Sequence, residues 1–120
     1  MATKRQLKKY VRNTCGALAS EIILAHVAFP AIDGNNVSEI VTEIAALQCS
    51  AIARVGISYD KAPRDFESKN EYRKDRRAYF ATAFNKLVAD FNNDVLAIVK
   101  KMNAALPEEV RQTIKETVAE

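Results

Sequence analysis

Apolar side chains recur every three or four positions along nearly the whole chain, and this spacing predicts long helices. Three such stripes occupy residues 7–29, 37–55 and 72–102. Only three glycines and three prolines occur in the 120 residues, and every proline lies outside the stripes. Few chain breakers favour a small number of long helices over many short strands. The sequence therefore predicts an all-α fold.

Polar side chains stand three residues before a glutamine or glutamate wherever a long helix is predicted to begin. This is the spacing of a capping box, in which the two side chains bond backbone N–H groups that the helix leaves unpaired. The three pairs are Thr3 and Gln6, Asn36 and Glu39, and Ser68 and Glu71. Pro30 is expected to end the first helix. Gly56 is expected to end the second, in the left-handed conformation that glycine tolerates.

The third helix is predicted to continue to about residue 103, because its apolar spacing keeps its phase through Asn92 and Asn93. A break at these two asparagines is the alternative. Pro107 is predicted to start a short fourth helix with acidic residues in its first turn. Short connections make successive helices antiparallel neighbours. We therefore expect one domain over residues 1–120, an up-down helical bundle of three long helices plus a short C-terminal helix.

Charge is distributed unevenly along the chain. Residues 1–20 carry five basic side chains and no acid, so the net charge of +3 combines +5 from this segment with −2 from the rest. In an up-down bundle, the start of helix 1, the end of helix 2 and the start of helix 3 share one end. This basic end, defined as residues 1–12 and 54–77, holds 13 basic and five acidic residues.

Stability does not explain the basic end. Two of its three helix termini are N-termini, where the helix dipole makes each cation unfavourable by about 0.3–1 kcal/mol. The functional interpretation is an anion-binding surface, most simply for nucleic acid phosphates. Tyr10, Tyr59, Tyr72 and Tyr79 are placed to stack on exposed bases. The expected phosphate contacts are Lys4, Arg5, Lys8, Lys9, Arg12, Arg73, Lys74, Arg76 and Arg77.

Other interpretations of the basic end stay open. Charge runs are most often solvated surfaces, and a partner could instead be an acidic protein surface or an anionic membrane. No helix-turn-helix, zinc-finger or RNA-recognition pattern singles out nucleic acid. The acids that would neutralise a purely solvated surface are Asp60, Asp65, Glu67, Glu71 and Asp75.

The second half of helix 1 is apolar nearly all round, unlike its amphipathic first half. Such a segment is either buried centrally or contacts a second subunit. Aromatic residues also lie on the part of helix 3 that extends beyond its neighbours. We therefore expect a homodimer, and the alternative function is a structural or assembly protein acting through self-association. The expected interface residues are Ile23, Leu24, Val27, Tyr72, Tyr79 and Phe80.

No catalytic or metal-binding constellation stands out. The single histidine, His26, lacks the partners of a zinc motif or a nucleophilic triad, and a local hydrogen bond is expected for it. Ser58 and Lys61 match the S-x-x-K spacing of penicillin-recognising enzymes, but they lie in a loop and the match is attributed to chance. We therefore expect a non-enzymatic protein without cofactor or metal.

Two cysteines, Cys15 and Cys49, fall at similar heights in the predicted bundle. A disulfide between them is geometrically conceivable, but free thiols in a reducing compartment are the preferred interpretation. No apolar run reaches the ~18 residues that a membrane span requires. The basic, acid-poor start resembles an organelle transit peptide, which is the alternative to the cytoplasmic location that we expect.

Overall fold

The computed structural model describes residues 3–107, and this part of the chain is all-helical. It contains three long helices, one short 3-10 turn and no β-strand. The all-α prediction is confirmed for these residues. The predicted fourth helix, from Pro107 onward, lies outside the described residues. The elements are α1 (Lys4–Ala28), α2 (Gly34–Val55), the 3-10 turn (Pro63–Asp65) and α3 (Lys69–Ala105).

The start of α1 forms the capping box that its sequence predicts. The Thr3 hydroxyl accepts the Gln6 N–H at 3.1 Å, and the Thr3 N–H donates to Gln6 Oε1 at 2.9 Å. At the start of α3, the Ser68 hydroxyl accepts the Glu71 N–H at 3.2 Å. Both caps satisfy backbone donors that have no partner inside their helices.

The ends of α2 differ from the prediction. The helix begins at Gly34 rather than Asn36, because the carboxylate of Asp33 accepts the Asn35 N–H at 2.9 Å and caps the helix there. Gly56 does follow the last helical residue, but its φ of −76° lies outside the left-handed region. The left-handed conformation predicted for Gly56 is therefore wrong. Its N–H instead donates to the Ile52 and Ala53 carbonyls and prolongs the last turn.

Helix α3 is continuous through Asn92 and Asn93, as its apolar phase predicts. Two ion pairs set its direction against α2. Arg54 Nη1 lies 3.1 Å from Asp90 Oδ2, and Lys101 Nζ lies 2.7 Å from Glu43 Oε1. The later of the two α2 residues thus meets the earlier of the two α3 residues, and the reverse, so the two helices run in opposite directions.

Side-chain contacts place the start of α1 beside both other helices. Lys4 Nζ donates to the Ile57 carbonyl, just past α2, at 2.8 Å. The Tyr10 hydroxyl donates to Asn92 Oδ1 in α3 at 2.8 Å. Helix α2 packs along α1 and along α3, which touch each other mainly near the start of α1. The described residues extend over 66 × 30 × 18 Å.

The core follows the apolar stripes of the sequence. All of its members are apolar or cysteine, and no polar or charged side chain is buried in residues 3–107. Burial of such side chains is worth about 25 cal/mol per Å² and is the main stabilising contribution. The core comprises Leu7, Val11, Cys15, Leu18, Ile22, Ile32, Val37, Ile40, Ile44, Ala51, Val55, Phe80, Phe84, Leu87, Phe91, Ile98 and Met102.

Both cysteines are free thiols in the structure. Cys15 is buried in the core and Cys49 is exposed, so the conceivable disulfide is not formed. Burial raises the pKa of the Cys15 thiol above its ordinary value. No helix within residues 3–107 combines the length and apolar character that crossing a bilayer requires.

Two aliphatic residues in the second half of α3 test this core. Ile98 is 6% exposed and Leu96 is 60% exposed. Ile98→Ala should lower the free energy of unfolding by about 2–5 kcal/mol, because it removes packed methyl groups and leaves a cavity. Leu96→Ala should change it by about 0.5 kcal/mol or less. Urea denaturation followed by circular dichroism measures both, and equal effects would contradict the packing described.

Candidate anion-binding surface

The ring of Phe80 contacts one cation from each of the two basic segments of the chain, residues 1–12 and 54–77. Lys4 Nζ lies 5.3 Å from the centre of this ring, and Arg76 Cζ lies 5.0 Å from the same centre. Cations at this distance are attracted to the negative face of an aromatic ring. The first turn of α1 and the third and fourth turns of α3 therefore share one surface.

Next to this contact, α3 presents an open groove of about 490 Å³, which we call the arginine groove; it is lined by Tyr72, Arg73, Arg76, Arg77 and Phe80. Arg76 and Arg77 follow Arg73 by three and four residues, so the three arginines lie on one broad face of the helix. Guanidinium groups donate paired N–H bonds in a planar fork that suits phosphate or carboxylate oxygens. The groove is of the size and chemistry to hold such an anionic group.

Within residues 3–107, few cations of the basic end are neutralised. Of its 13 basic residues, only Arg54 and Lys61 form ion pairs, with Asp90 and Asp75. The remaining eleven, including every expected phosphate contact, form no ion pair with a described residue. Extensive internal pairing of the basic end is therefore not observed in this part of the chain.

The acidic residues of the basic end are mostly occupied elsewhere or solvated. The Asp65 carboxylate accepts the Ala62 N–H at 2.8 Å and shapes the 3-10 turn. Asp60, Glu67 and Glu71 form no ion pair with a described residue. Only Asp75, 3.4 Å from Lys61 Nζ, neutralises a cation of the basic end from within it.

The 57–67 loop folds back onto the start of α3. The Tyr59 hydroxyl donates to Asp75 Oδ2, and the Tyr79 hydroxyl donates to the Ser58 carbonyl at 3.2 Å. The hydrogen bond from Tyr59 holds the pKa of Asp75 below its ordinary value; desolvation opposes this shift, and the Lys61 charge adds to it. Desolvation, and then the bond to Asp75, raise the pKa of Tyr59.

Six aromatic rings form one connected chain beneath the basic end. Neighbouring ring centres along this chain are 5.3–5.7 Å apart, in edge-on or tilted arrangements. Because the returning loop supplies two of the rings, the start of α3 is covered by the chain itself. In order of contact, the rings are Phe66, Tyr72, Tyr59, Tyr79, Phe80 and Phe84.

Three residues expected at a dimer interface are wholly or partly buried within the chain itself. Tyr72 and Tyr79 are half-buried against Tyr59, and Phe80 is buried in the core. The expectation that Phe80 is exposed at an overhanging end of helix 3 is therefore wrong. Sequence reasoning missed the cover, although Tyr59 and Phe66, the two aromatic residues of the 57–67 loop, were the signal for it.

The other predicted interface residues lie on the surface. Ile23, Leu24 and Val27 form an exposed strip on α1, which we call the apolar ridge, and Leu24 and Val27 are 66% and 71% exposed. The ridge lies on a different face of α1 from the apolar stripe that faces the core. On the first half of α1, Lys8 is half-buried, whereas the remaining cations are exposed: Lys4, Arg5, Lys9 and Arg12.

The residues set aside as chemical candidates also have definite positions. His26 Nδ1 is buried and has no hydrogen-bond partner within residues 3–107, so the local hydrogen bond predicted for it is not observed. Ser58 and Lys61 both belong to the contacts that hold the loop on α3. No group of three or more residues able to ligate a metal occurs in the described part of the chain.

No family model, curated protein or solved structure matches this chain significantly. The fold and surface of residues 3–107 define this part of the chain only as all-helical, with a groove of three arginines beside the cation-flanked ring of Phe80. Function is therefore inferred from the chemistry of that surface.

Removal of the Tyr59 hydroxyl tests the contact that holds the loop. In Tyr59→Phe, the pKa of Asp75 should rise toward the ordinary aspartate value of about 3.9. A lowered pKa stabilises the fold above that pH, and this contribution is lost as pH falls through the folded-state pKa. The variant should therefore lose less stability on acidification. NMR titration of the carboxyl carbon measures the shift.

Tyr79→Phe is the matched control, because it removes an equivalent hydroxyl that donates to Ser58 and not to Asp75. The pKa of Asp75 should stay unchanged in this variant. An unchanged pKa in Tyr59→Phe as well would show that the bond to Asp75 does not persist in solution.

Proposed function

We propose that the protein is a non-enzymatic binding module whose basic end holds a polyanion, most simply the phosphates of a nucleic acid. We further propose a single-domain, up-down bundle in which alternating helix directions gather the cations. The observation that carries the proposal is the meeting of Lys4 and Arg76 on the ring of Phe80, beside the arginine groove.

Repulsion between neighbouring cations on α1 and α3 destabilises these helices, which supports a function for the cations. Like charges four residues apart on a helix destabilise it by about 0.2–0.5 kcal/mol per pair. No acidic residue stands in the first turn of α1 to offset the cations there. A bound anion would relieve this repulsion, and a polyanion would also release its own condensed counterions. The like-charged pairs at this spacing are Lys4–Lys8, Arg5–Lys9, Lys8–Arg12, Lys69–Arg73 and Arg73–Arg77.

The location of this activity is proposed as the cytoplasm. Free Cys15 and Cys49 are consistent with a reducing compartment, in which thiols persist. An acidic protein surface would meet the same cations, but a nucleic acid presents a regular row of strong acceptors that suits several guanidinium groups at once. Nucleic acid is therefore the partner that we propose.

Salt dependence is the quantitative test of this proposal. Four to six phosphate contacts should give a slope of roughly −3 to −5 when the logarithm of the association constant is plotted against that of salt concentration. Arg73→Gln/Arg77→Gln should flatten the slope by about 1.8, since each lost contact removes about 0.9. Fluorescence anisotropy with a labelled duplex at several salt concentrations measures both.

Lys86→Gln/Lys100→Gln is the control, because it removes the same net charge from exposed positions farther along α3 that form no ion pair with described residues. Its slope should stay close to that of the unmodified protein. If both double variants flatten the slope equally, binding depends on net charge and not on the basic end. Absence of binding at low salt would refute the proposal.

Self-association is the second candidate function, and the apolar ridge favours it. Three large aliphatic side chains grouped on one exposed helical face are unfavourable in water. Residues 13–32 of this region contain one formal charge, Glu21, so little opposes a close approach of two copies. We propose that a second copy of the chain covers this ridge.

Leu24→Glu should shift a dimer toward monomer, because it places a charge in the proposed apolar contact. Leu96→Glu is the matched control, since Leu96 is also exposed but lies on α3 outside the ridge. Sedimentation velocity over a range of protein concentrations reports the association state. A monomeric unmodified protein, or dissociation by both variants alike, would rule out the ridge as the interface.

A further inference from the structure

The basic end can contact a nucleic acid through its bases, its phosphates or both, and the aromatic residues decide between these modes. Proteins that hold single strands stack successive bases on free aromatic rings. The chain contains four tyrosines, five phenylalanines and no tryptophan, and all nine rings belong to the described residues. The availability of a stacking surface can therefore be assessed for the whole chain.

The rings near the arginine groove are already occupied. Tyr72 contacts both Phe66 and Tyr59, with each pair of ring centres 5.7 Å apart. Tyr79 lies 5.3 Å from Tyr59, and its hydroxyl is bonded to a loop carbonyl. These two tyrosines were expected to stack on bases, but their partners come from their own chain.

The ring of Phe80 is in contact with two cations of its own chain. Lys4 and Arg76 both lie within about 5 Å of its ring centre, and the side chain is buried in the core. A base could reach this ring only by displacing a cation from it. Phe80 thus positions the cations that meet the anion and offers no stacking surface of its own.

Tyr10 has the most exposed ring among the four tyrosines, at 44%. Its hydroxyl donates to Asn92, and its ring packs edge-on against Phe91 with centres 5.7 Å apart. The side chain is thereby fixed between α1 and α3. A single partly exposed ring does not provide the succession of stacking sites on which single-strand binding depends.

We infer that the ligand of the basic end is a double-stranded nucleic acid, bound through its phosphates without contacts to its bases. This inference rests on the proposed function and adds the ligand class. A duplex carries one negative charge per ~1.7 Å of its axis, a higher density than a single strand has. A cationic surface without free aromatic rings is therefore expected to bind a duplex more tightly than a single strand, and not to distinguish base sequence.

The cations are arranged to follow such a backbone. Arg5, Lys9 and Arg12 recur every three or four residues, so they follow one face of α1 over about 10 Å. Arg73 and Arg77 form a second row on α3, about 6 Å long. The contacts of Lys4 and Arg76 with Phe80 place the first turn of α1 beside the helix that carries the second row, and we infer that both rows engage one duplex.

The test compares three probes at matched salt concentrations: a blunt duplex, one of its strands alone with no self-complementarity, and inorganic polyphosphate. For five phosphate contacts, the expected slopes are about −4.5 for the duplex and −3.5 for the single strand, which corresponds to about tenfold tighter duplex binding at 0.1 M salt. Exchanging an A·T-rich duplex for a G·C-rich one should change the affinity by less than about twofold. Polyphosphate binding alongside duplex binding also agrees with contacts to phosphates alone.

Tyr10→Leu separates phosphate contact from stacking. The affinity for duplex and for single strand should stay unchanged, because leucine retains the apolar packing and Tyr10 makes no ligand contact. Tighter binding of the single strand, or its selective loss in Tyr10→Leu, would overturn the inference and show that bases are stacked. Binding of polyphosphate but not of the duplex would also overturn it. Absence of binding to all three probes would instead refute the proposed function itself.

Discussion

The packing of α2 against both other helices is the constraint on which the rest of the described structure depends. One ion pair joins Arg54, near the end of α2, to Asp90 of α3, and another joins Glu43, near the middle of α2, to Lys101, late in α3. The capped turn at Asp33 reverses the chain between α1 and α2. Lys4, the first residue of α1, accordingly contacts both Ile57, just past α2, and the ring of Phe80 in α3. The gathering of cations at one end, as proposed, depends on this arrangement of the three helices.

The two halves of the described structure differ in whether their apolar surface residues are covered by another segment of the chain. At the basic end, the 57–67 loop covers the aromatic residues of α3 and joins them to Asp75 through Tyr59. Few described acids form ion pairs with the cations around this covered region. Along the second half of α1, in contrast, no described segment covers Leu24 or Val27. Charge and apolar exposure thus occupy separate parts of one helix, so ligand binding and self-association are compatible.

The helices could be predicted because their signals are local. Thr3, Ser68 and the phase through Asn92 each depend on residues within a few turns, and the structure agrees with all three. The start of α2 was misplaced by two residues because the side chain of Asp33, rather than that of Asn36, caps the helix by accepting the Asn35 N–H. Gly56 shows the limit of a residue preference, because a glycine can take the left-handed conformation without being required to.

The sequence by itself determined where the three long helices lie, which of their faces are apolar and how many cations each segment carries, because periodicity and charge are properties of neighbouring residues. Only the tertiary structure decided what each exposed group meets. It placed Lys4 and Arg76 on one ring, buried Phe80 and joined Tyr59 to Asp75. These contacts link residues that are far apart in the chain or separated by a loop, and a loop's return path depends on packing that no local pattern encodes.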